Sequence, residues 1–148
     1  MARHTHTDLT GEKADGDTAP RPRDGLFIRV YFGDGRHLGP GMIELLEAIR
    51  TERSILSAAR KLGMSYRRAW LLVDEIGRSF RQKVVETHPG RRGHGTDLTP
   101  FGERLIALYR EVERSSTAAS RAAVDELRAA LAPLEAAADI SADTPAEG

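Results

Sequence analysis

Residues 54–70 read SILSAARKLGMSYRRAW, and this stretch decides the fold. The small residues Ala58 and Ala59 allow one helix to approach another closely. Gly63 ends that helix, because glycine adopts the left-handed conformation that closes a helix at little cost. Ser65 can then cap a second helix by accepting a hydrogen bond from a backbone N–H group. The stretch therefore predicts a helix, a tight turn and a second helix.

Two arginines occupy the first turn of this second helix. The N-terminus of a helix is electropositive, so electrostatics alone would favour acidic residues there. Arg67 and Arg68 stand there instead, which is typical of a helix-turn-helix whose second helix approaches DNA. A bidentate contact from arginine to guanine O6 and N7 contributes about 1–3 kcal/mol of base discrimination. The alternative is that both arginines pair with acidic residues of their own fold.

Neighbouring side chains add candidate DNA contacts. Ser65 and Tyr66 can donate hydrogen bonds to phosphate oxygens, which fix the register of a protein on DNA without reading its sequence. Trp70 is the only tryptophan; it either packs at the edge of the core or abuts the duplex, and its indole N–H needs a partner in both cases. On a helical wheel the predicted buried stripe consists of Ala69, Leu72, Val73, Ile76 and Phe80. The positions that point outward are Arg67, Leu71, Asp74 and Arg78.

The segments around this stretch predict a small α+β unit. Residues 26–32 are β-branched and aromatic and predict a strand. A helix follows from Pro40 to about residue 50, because its apolar residues fall at helical spacing. After the helix-turn-helix, residues 84–87 and 97–98 predict the two strands of a hairpin. The order is that of a winged helix-turn-helix, mainly α, with an N-terminal strand and a two-stranded wing.

The hairpin has a basic, glycine-rich tip between its strands. Arg91, Arg92 and His94 lie in it beside three glycines. We expect these three residues to lie along the DNA backbone or to enter the minor groove, as flexible basic arms do. The alternative is a mobile, solvated loop.

The last predicted helix is long and amphipathic. Thr99 caps it and Pro100 begins it. Its stripe consists of Phe101, Leu105, Leu108, Val112, Ser116, Ala119, Ala123, Leu127, Leu131 and Leu134. A continuous helix would span about 50 Å, and residues 115–117 mark a place where it can bend. Since the sequence offers its second half nothing to pack on, we expect it to pair with a second copy of the chain.

Charge divides the 148 residues into unequal parts. The chain is neutral overall, but residues 25–110 hold 15 basic and 9 acidic residues and carry +6, whereas the segments before and after carry −1 and −5. A polyanion would bind the positive middle. The sequence thus predicts a disordered tail at 1–24, a winged helix-turn-helix at 25–98, a long dimerisation helix at 99–134 and a second disordered tail at 135–148.

Composition and motifs argue against several other classes. The chain has no cysteine, which excludes disulfides and cysteine-based metal or catalytic sites. It shows no catalytic serine motif and no phosphate-binding glycine loop, so we expect neither an enzyme nor a cofactor. Since no secretory signal begins the sequence and no run approaches about 20 apolar residues, we expect a cytoplasmic protein with no membrane partner.

Four motifs together resemble a known family. They are SYRRAWLLVDE at 65–75, LLEAI at 45–49, SAAR at 57–60 and LTPFG at 98–102. They resemble the DNA-binding domain of ModE-type, molybdate-responsive transcriptional regulators over about residues 25–115. The first motif is fairly specific, whereas the SAA and LTP pieces are shared more loosely with LysR-type regulators.

The resemblance implies a dimeric repressor or activator that binds a palindromic operator near molybdenum-related genes. Full-length family members carry C-terminal molybdate-binding domains, which are small β-barrels. The sequence after the long helix predicts no strands from which such a barrel could form. We therefore expect a member that binds DNA without a molybdate sensor. Two other functions stay open: a winged-helix module that binds a protein, and a regulator that binds an effector at its dimer interface.

Overall fold

The computed structural model of the protein describes residues 23–89 and 95–134. These residues form five helices and two small antiparallel sheets. In chain order the elements are β1 (Val30–Tyr31), β2 (His37–Leu38), α1 (Pro40–Glu52), α2 (Ile55–Leu62), α3 (Tyr66–Ser79), β3 (Val85–Thr87), β4 (Thr96–Leu98), α4 (Pro100–Ala119) and α5 (Arg121–Ala129). The predicted α+β winged helix-turn-helix is confirmed.

Helix α1 lies between two apolar clusters and is buried by both. On one side Ile43 and Leu46 pack with residues of β2 and α4, among them Leu105. On the other side Leu45 and Ile49 pack with residues of α2 and α3. These four α1 side chains are fully buried. Because the two clusters share α1, the helix-turn-helix and the C-terminal helix are held in one frame.

The helix-turn-helix forms as the sequence predicts. Ser54 caps α2 by accepting from the backbone N–H of Ser57. Gly63 closes α2 with φ at 69°, in the left-handed region, and the N–H of Met64 reaches back to the Ala59 carbonyl at 3.0 Å. This backbone bond over the turn ends α2 and satisfies one of its last carbonyl groups.

Small residues bring the helices of the helix-turn-helix together. Ala58, Ala59 and Ala69 are buried in the cluster between α1, α2 and α3, together with Val73. Alanine at these positions allows the backbones of the helices to approach closely. The predicted inward stripe of α3 is confirmed at Ala69, Val73 and Ile76, while Leu72 and Phe80 are partly buried.

The wing joins the helical frame through Thr99. Strands β3 and β4 pair with Val85 opposite Leu98 and Thr87 opposite Thr96. The Thr99 backbone N–H donates to the Val84 carbonyl at 3.0 Å, and its hydroxyl oxygen accepts from the N–H of Gly102 at 3.0 Å. One residue therefore ends the wing and caps α4.

The structure differs from the sequence-based expectation at both ends of the domain. Only Val30–Tyr31 of the predicted strand 26–32 pairs, and its partner β2 was not predicted. The preceding backbone runs against α4 instead, where the Ile28 carbonyl accepts from the Tyr109 hydroxyl at 2.6 Å. Burial raises the pKa of Tyr109 above its ordinary value.

The C-terminal helix is not continuous. It is interrupted at Ser120, later than the predicted weak point, and α5 ends at Ala129. The Ser120 hydroxyl donates to the Ser116 carbonyl at 2.8 Å, a local bond that competes with regular helix geometry and bends helices. The predicted tails lie outside the described residues, except for residues 23 and 24.

The two glycines at positions 102 and 77 offer a matched test of packing. A Cβ atom at Gly102 would lie 2.4 Å from the Val84 carbonyl oxygen, whereas one at Gly77 meets nothing within 4 Å. We expect Gly102→Ala to lower the free energy of unfolding by about 1–3 kcal/mol, because the wing backbone must shift. Gly77→Ala should raise it by about 0.5–1 kcal/mol. Urea unfolding measures both, and a neutral Gly102→Ala variant would contradict the close approach.

Candidate nucleic-acid interface

The first turn of α3 carries the two candidate arginines. Ser65 caps this turn, since its hydroxyl oxygen accepts from the backbone N–H of Arg68 at 3.1 Å. The cap leaves the hydroxyl hydrogen of Ser65 available for donation to another acceptor. Arg67 and Arg68 follow on the surface, and no acidic residue lies in this turn. The turn therefore presents two cations at the electropositive end of a helix.

Neither of these arginines is neutralised within the described part of the chain. No ion pair or side-chain hydrogen bond joins Arg67 or Arg68 to another described residue. Other arginines are paired: Arg78 lies 3.0 Å from the Asp74 carboxylate, and Arg110 lies 2.6 Å from Glu47. The alternative of pairing with the fold's own acids is thus not observed for residues 67 and 68.

Two aromatic side chains stand beside the arginines. Tyr66 is 49% exposed and Trp70 is 47% exposed, one helical turn apart. They line an open groove between α3 and the wing, whose other walls include Leu56, Thr87 and Pro89. Trp70 therefore lines the groove with about half of its surface available to a partner. No described residue accepts a hydrogen bond from its indole N–H.

The outward face of α3 also carries a leucine. Leu71 is 54% exposed, and it lies one turn after Arg67 on the side opposite the buried stripe. The helical wheel had already directed Leu71 outward, but sequence reasoning assigned it no role. Leu56, which is also exposed, was missed because the position of the wing beside α2 is a tertiary feature.

Arg53 connects the wing to the end of α1. It adopts φ of 57°, the one described non-glycine residue with positive φ. Its carbonyl accepts from the N–H of Thr96 at 3.2 Å, and its guanidinium donates to both carboxylate oxygens of Asp97, at 2.8 and 3.3 Å. The Asp97 carboxylate raises the pKa of Arg53. Sequence reasoning missed this link, for which no local motif exists.

Asp97 also faces the other strand of the wing. The Nε2 atom of His88 lies 3.3 Å from its carboxylate, and the His88 backbone N–H donates to the Gly95 carbonyl at 2.6 Å. These contacts close the loop end of the β3–β4 pair. Arg91, Arg92 and His94, which we expect to contact DNA, lie outside the described residues.

Two features are absent from residues 23–89 and 95–134. No group of three or more histidine, aspartate or glutamate side chains is placed to hold a metal ion there. Among the helices of that same part of the chain, none has the length and apolarity required to cross a membrane.

The fold and this surface define the class: a winged helix-turn-helix whose helix α3 begins with two exposed arginines that have no acidic partner among the described residues. The chain is similar to the protein named molybdenum transport protein ModE in Azotobacter vinelandii, at 41% identity over 80 residues, which are 53% of this chain and 30% of that protein. The predicted resemblance to ModE-type proteins is therefore confirmed for about half of the chain.

Two further proteins to which the chain is similar are also named ModE. The transcriptional regulator ModE of Haemophilus influenzae is 31% identical over 102 residues, 68% of this chain and 40% of that protein. The DNA-binding transcriptional dual regulator ModE of Escherichia coli is 38% identical over 71 residues, 47% of this chain and 27% of that protein. The matched region thus spans between about a quarter and two fifths of each relative. No family model matches the chain.

The Arg53–Asp97 pair gives a prediction for the wing. Asp97→Asn removes the charge but nearly keeps the shape, so we expect amide hydrogen exchange in β3 and β4 to rise several-fold. The free energy of unfolding should fall by less than about 1 kcal/mol, because both partners are partly exposed. Asp74→Asn, which breaks the Arg78 pair within α3, is the control and should leave wing exchange unchanged. Equal exchange in wild type and Asp97→Asn would contradict the role of this pair.

Proposed function

We propose that the protein is a transcriptional regulator that binds a specific DNA operator through α3 and the wing. One observation carries the proposal: Arg67 and Arg68 lead α3, are exposed, and have no acidic partner in the described part of the chain. The similarity to ModE-type regulators supports it. A cation that is left unpaired on a helix N-terminus suits an anionic partner.

In this proposal α3 enters the major groove. Its N-terminal residues then meet base edges, as in other helix-turn-helix proteins. Arg67 and Arg68 bind guanine edges or phosphates, while Ser65 and Tyr66 donate to phosphate oxygens. Trp70 abuts the duplex from the groove beside the wing. We further propose that Arg91, Arg92 and His94 at the tip of the wing contact the backbone or the minor groove.

We propose that two copies bind one palindromic operator. Helix α5 has no buried residue in the single chain. Its residue Leu127 is 70% exposed, and Leu134, which follows the helix, is 85% exposed. Together with Leu108, Val112 and Leu131, these residues leave an apolar stripe uncovered. A second copy would cover the stripe and place the two α3 helices about 34 Å apart, one turn of DNA.

We also propose that operator binding does not require molybdate. Molybdenum is named for the relative from Azotobacter vinelandii, of which the matched region is 30%. The described residues of this chain are accounted for by the winged helix-turn-helix and the C-terminal helices, and DNA contact through α3 needs no bound oxyanion. Absence of an enzymatic activity and a cytoplasmic location stay predictions from the sequence.

Arg67→Ala tests the proposed contact between the N-terminus of α3 and DNA. We expect this variant to bind the operator about 5- to 150-fold more weakly than wild type and to relax one base preference, since one bidentate contact contributes about 1–3 kcal/mol. Arg104→Ala is the matched control, because Arg104 is an exposed arginine of α4 without an ion pair to a described residue. Fluorescence anisotropy measures both, and equal affinities for Arg67→Ala and wild type would contradict the assignment.

Selection of bound DNA from a random pool tests the symmetry and the ligand independence. We expect a palindrome with half-sites about one turn apart, and the same palindrome with and without molybdate. Affinity for it should fall steeply with salt, because phosphate contacts release counterions. A protein-binding module would select no sequence, and a molybdate-dependent selection would show that the proposed independence is wrong.

A further inference from the structure

The outermost position of α3 is occupied by an apolar residue. The buried stripe of this helix contains Ala69, Val73 and Ile76, and 100° steps around the axis place Leu71 nearly opposite its centre. Leu71 is more exposed than any other large apolar residue of α3. If α3 enters a groove, Leu71 is therefore among the side chains that reach deepest.

Charged residues surround Leu71 on the same face. Arg67 lies one turn before it and carries no described ion pair. Asp74 lies about one turn after it, where its carboxylate is held by Arg78 at 3.0 Å. The positive charge ahead of Leu71 is thus open to a partner, and the negative charge behind it is neutralised. This pattern favours DNA over an apolar protein surface as the occupant of this face.

Leucine has one suitable partner at the edges of base pairs in the major groove. Guanine, adenine and cytosine present donors and acceptors there, which leucine cannot satisfy. Thymine presents its C5-methyl group, with which apolar side chains make direct contact. We propose that Leu71 reads a thymine methyl group and thereby helps to determine which operator the protein selects. This inference rests on the proposed function of α3.

The spacing along α3 says where the thymine should lie. Arg67 and Leu71 are four residues apart, which is about 6 Å along the helix axis. Successive base pairs are separated by about 3.4 Å. The thymine that Leu71 contacts therefore lies within about two base pairs of the base that Arg67 contacts, in each half-site.

Deoxyuridine substitution tests this inference in the intact 148-residue chain. Each thymine of the selected operator is replaced in turn by deoxyuridine, which keeps base pairing and removes only the C5-methyl group. For wild type we expect one position in a half-site at which affinity falls about three- to fivefold, as for one buried methyl group. Leu71→Ala and the nearly isosteric Leu71→Asn should show no loss at that position.

Two other variants serve as controls. Leu71→Met keeps an apolar side chain and should retain the loss. Leu56→Ala removes an exposed leucine of α2, the helix that crosses the DNA backbone in this class, and should also retain the loss.

The outcomes separate this inference from the proposed function. A loss that persists in Leu71→Ala, no loss at any thymine in wild type, or an operator without thymine in its half-sites overturns the inference alone, provided that Arg67→Ala still weakens binding. If the protein selects no operator and Arg67→Ala changes nothing, the proposed function has failed and the inference fails with it.

Discussion

Burial of α1 on two sides is the constraint on which the rest of the structure depends. Its apolar residues follow a helical period, but they cover more than one narrow stripe, because Ile43, Leu45, Leu46 and Ile49 are all fully buried. A helix that is buried this broadly needs partners on both sides. Helices α2 and α3 supply one side, and α4 with β2 supplies the other. The position of α3 is therefore fixed by its packing against α1 and α2.

A few polar links then set the wing relative to that scaffold. Arg53, which has a left-handed backbone conformation, donates a hydrogen bond from its guanidinium to Asp97 of β4. The hydroxyl of Thr99, just after β4, donates a hydrogen bond to the Val84 carbonyl. Both links join the wing to the helical frame, and the wing lies beside α3. The groove that contains Tyr66 and Trp70 lies between them. A surface for DNA is thus assembled from two elements that are distant in sequence.

The sequence was sufficient where local rules apply. The caps at Ser65 and Thr99, the closing glycine at position 63 and the inward stripe of α3 all formed as expected, since each depends on residues within one or two helical turns. Strand β2 was missed because two residues give no periodicity. The interruption lies at Ser120 and not at residues 115–117, because a run of serine and threonine marks a weak region of a helix but not the residue at which the helix ends.

The candidate interface was only partly accessible from the sequence. The helical wheel predicted an outward position for Arg67, but the absence of a described acidic partner for Arg67 and Arg68 is a tertiary property. The Arg53–Asp97 link joins residues 44 positions apart, and no local sequence pattern predicts this pair. Trp70 is half-exposed and lines the groove beside the wing, so about half of its surface stays available to a partner.

The central claim is that α3 enters the major groove of DNA. Methylation interference tests it most directly, because dimethyl sulfate marks guanine N7 in the major groove and adenine N3 in the minor groove. DNA that the protein still binds should be depleted of methylated guanine at matching positions in both half-sites. Depletion at adenine N3 alone, or at neither atom, would contradict the account.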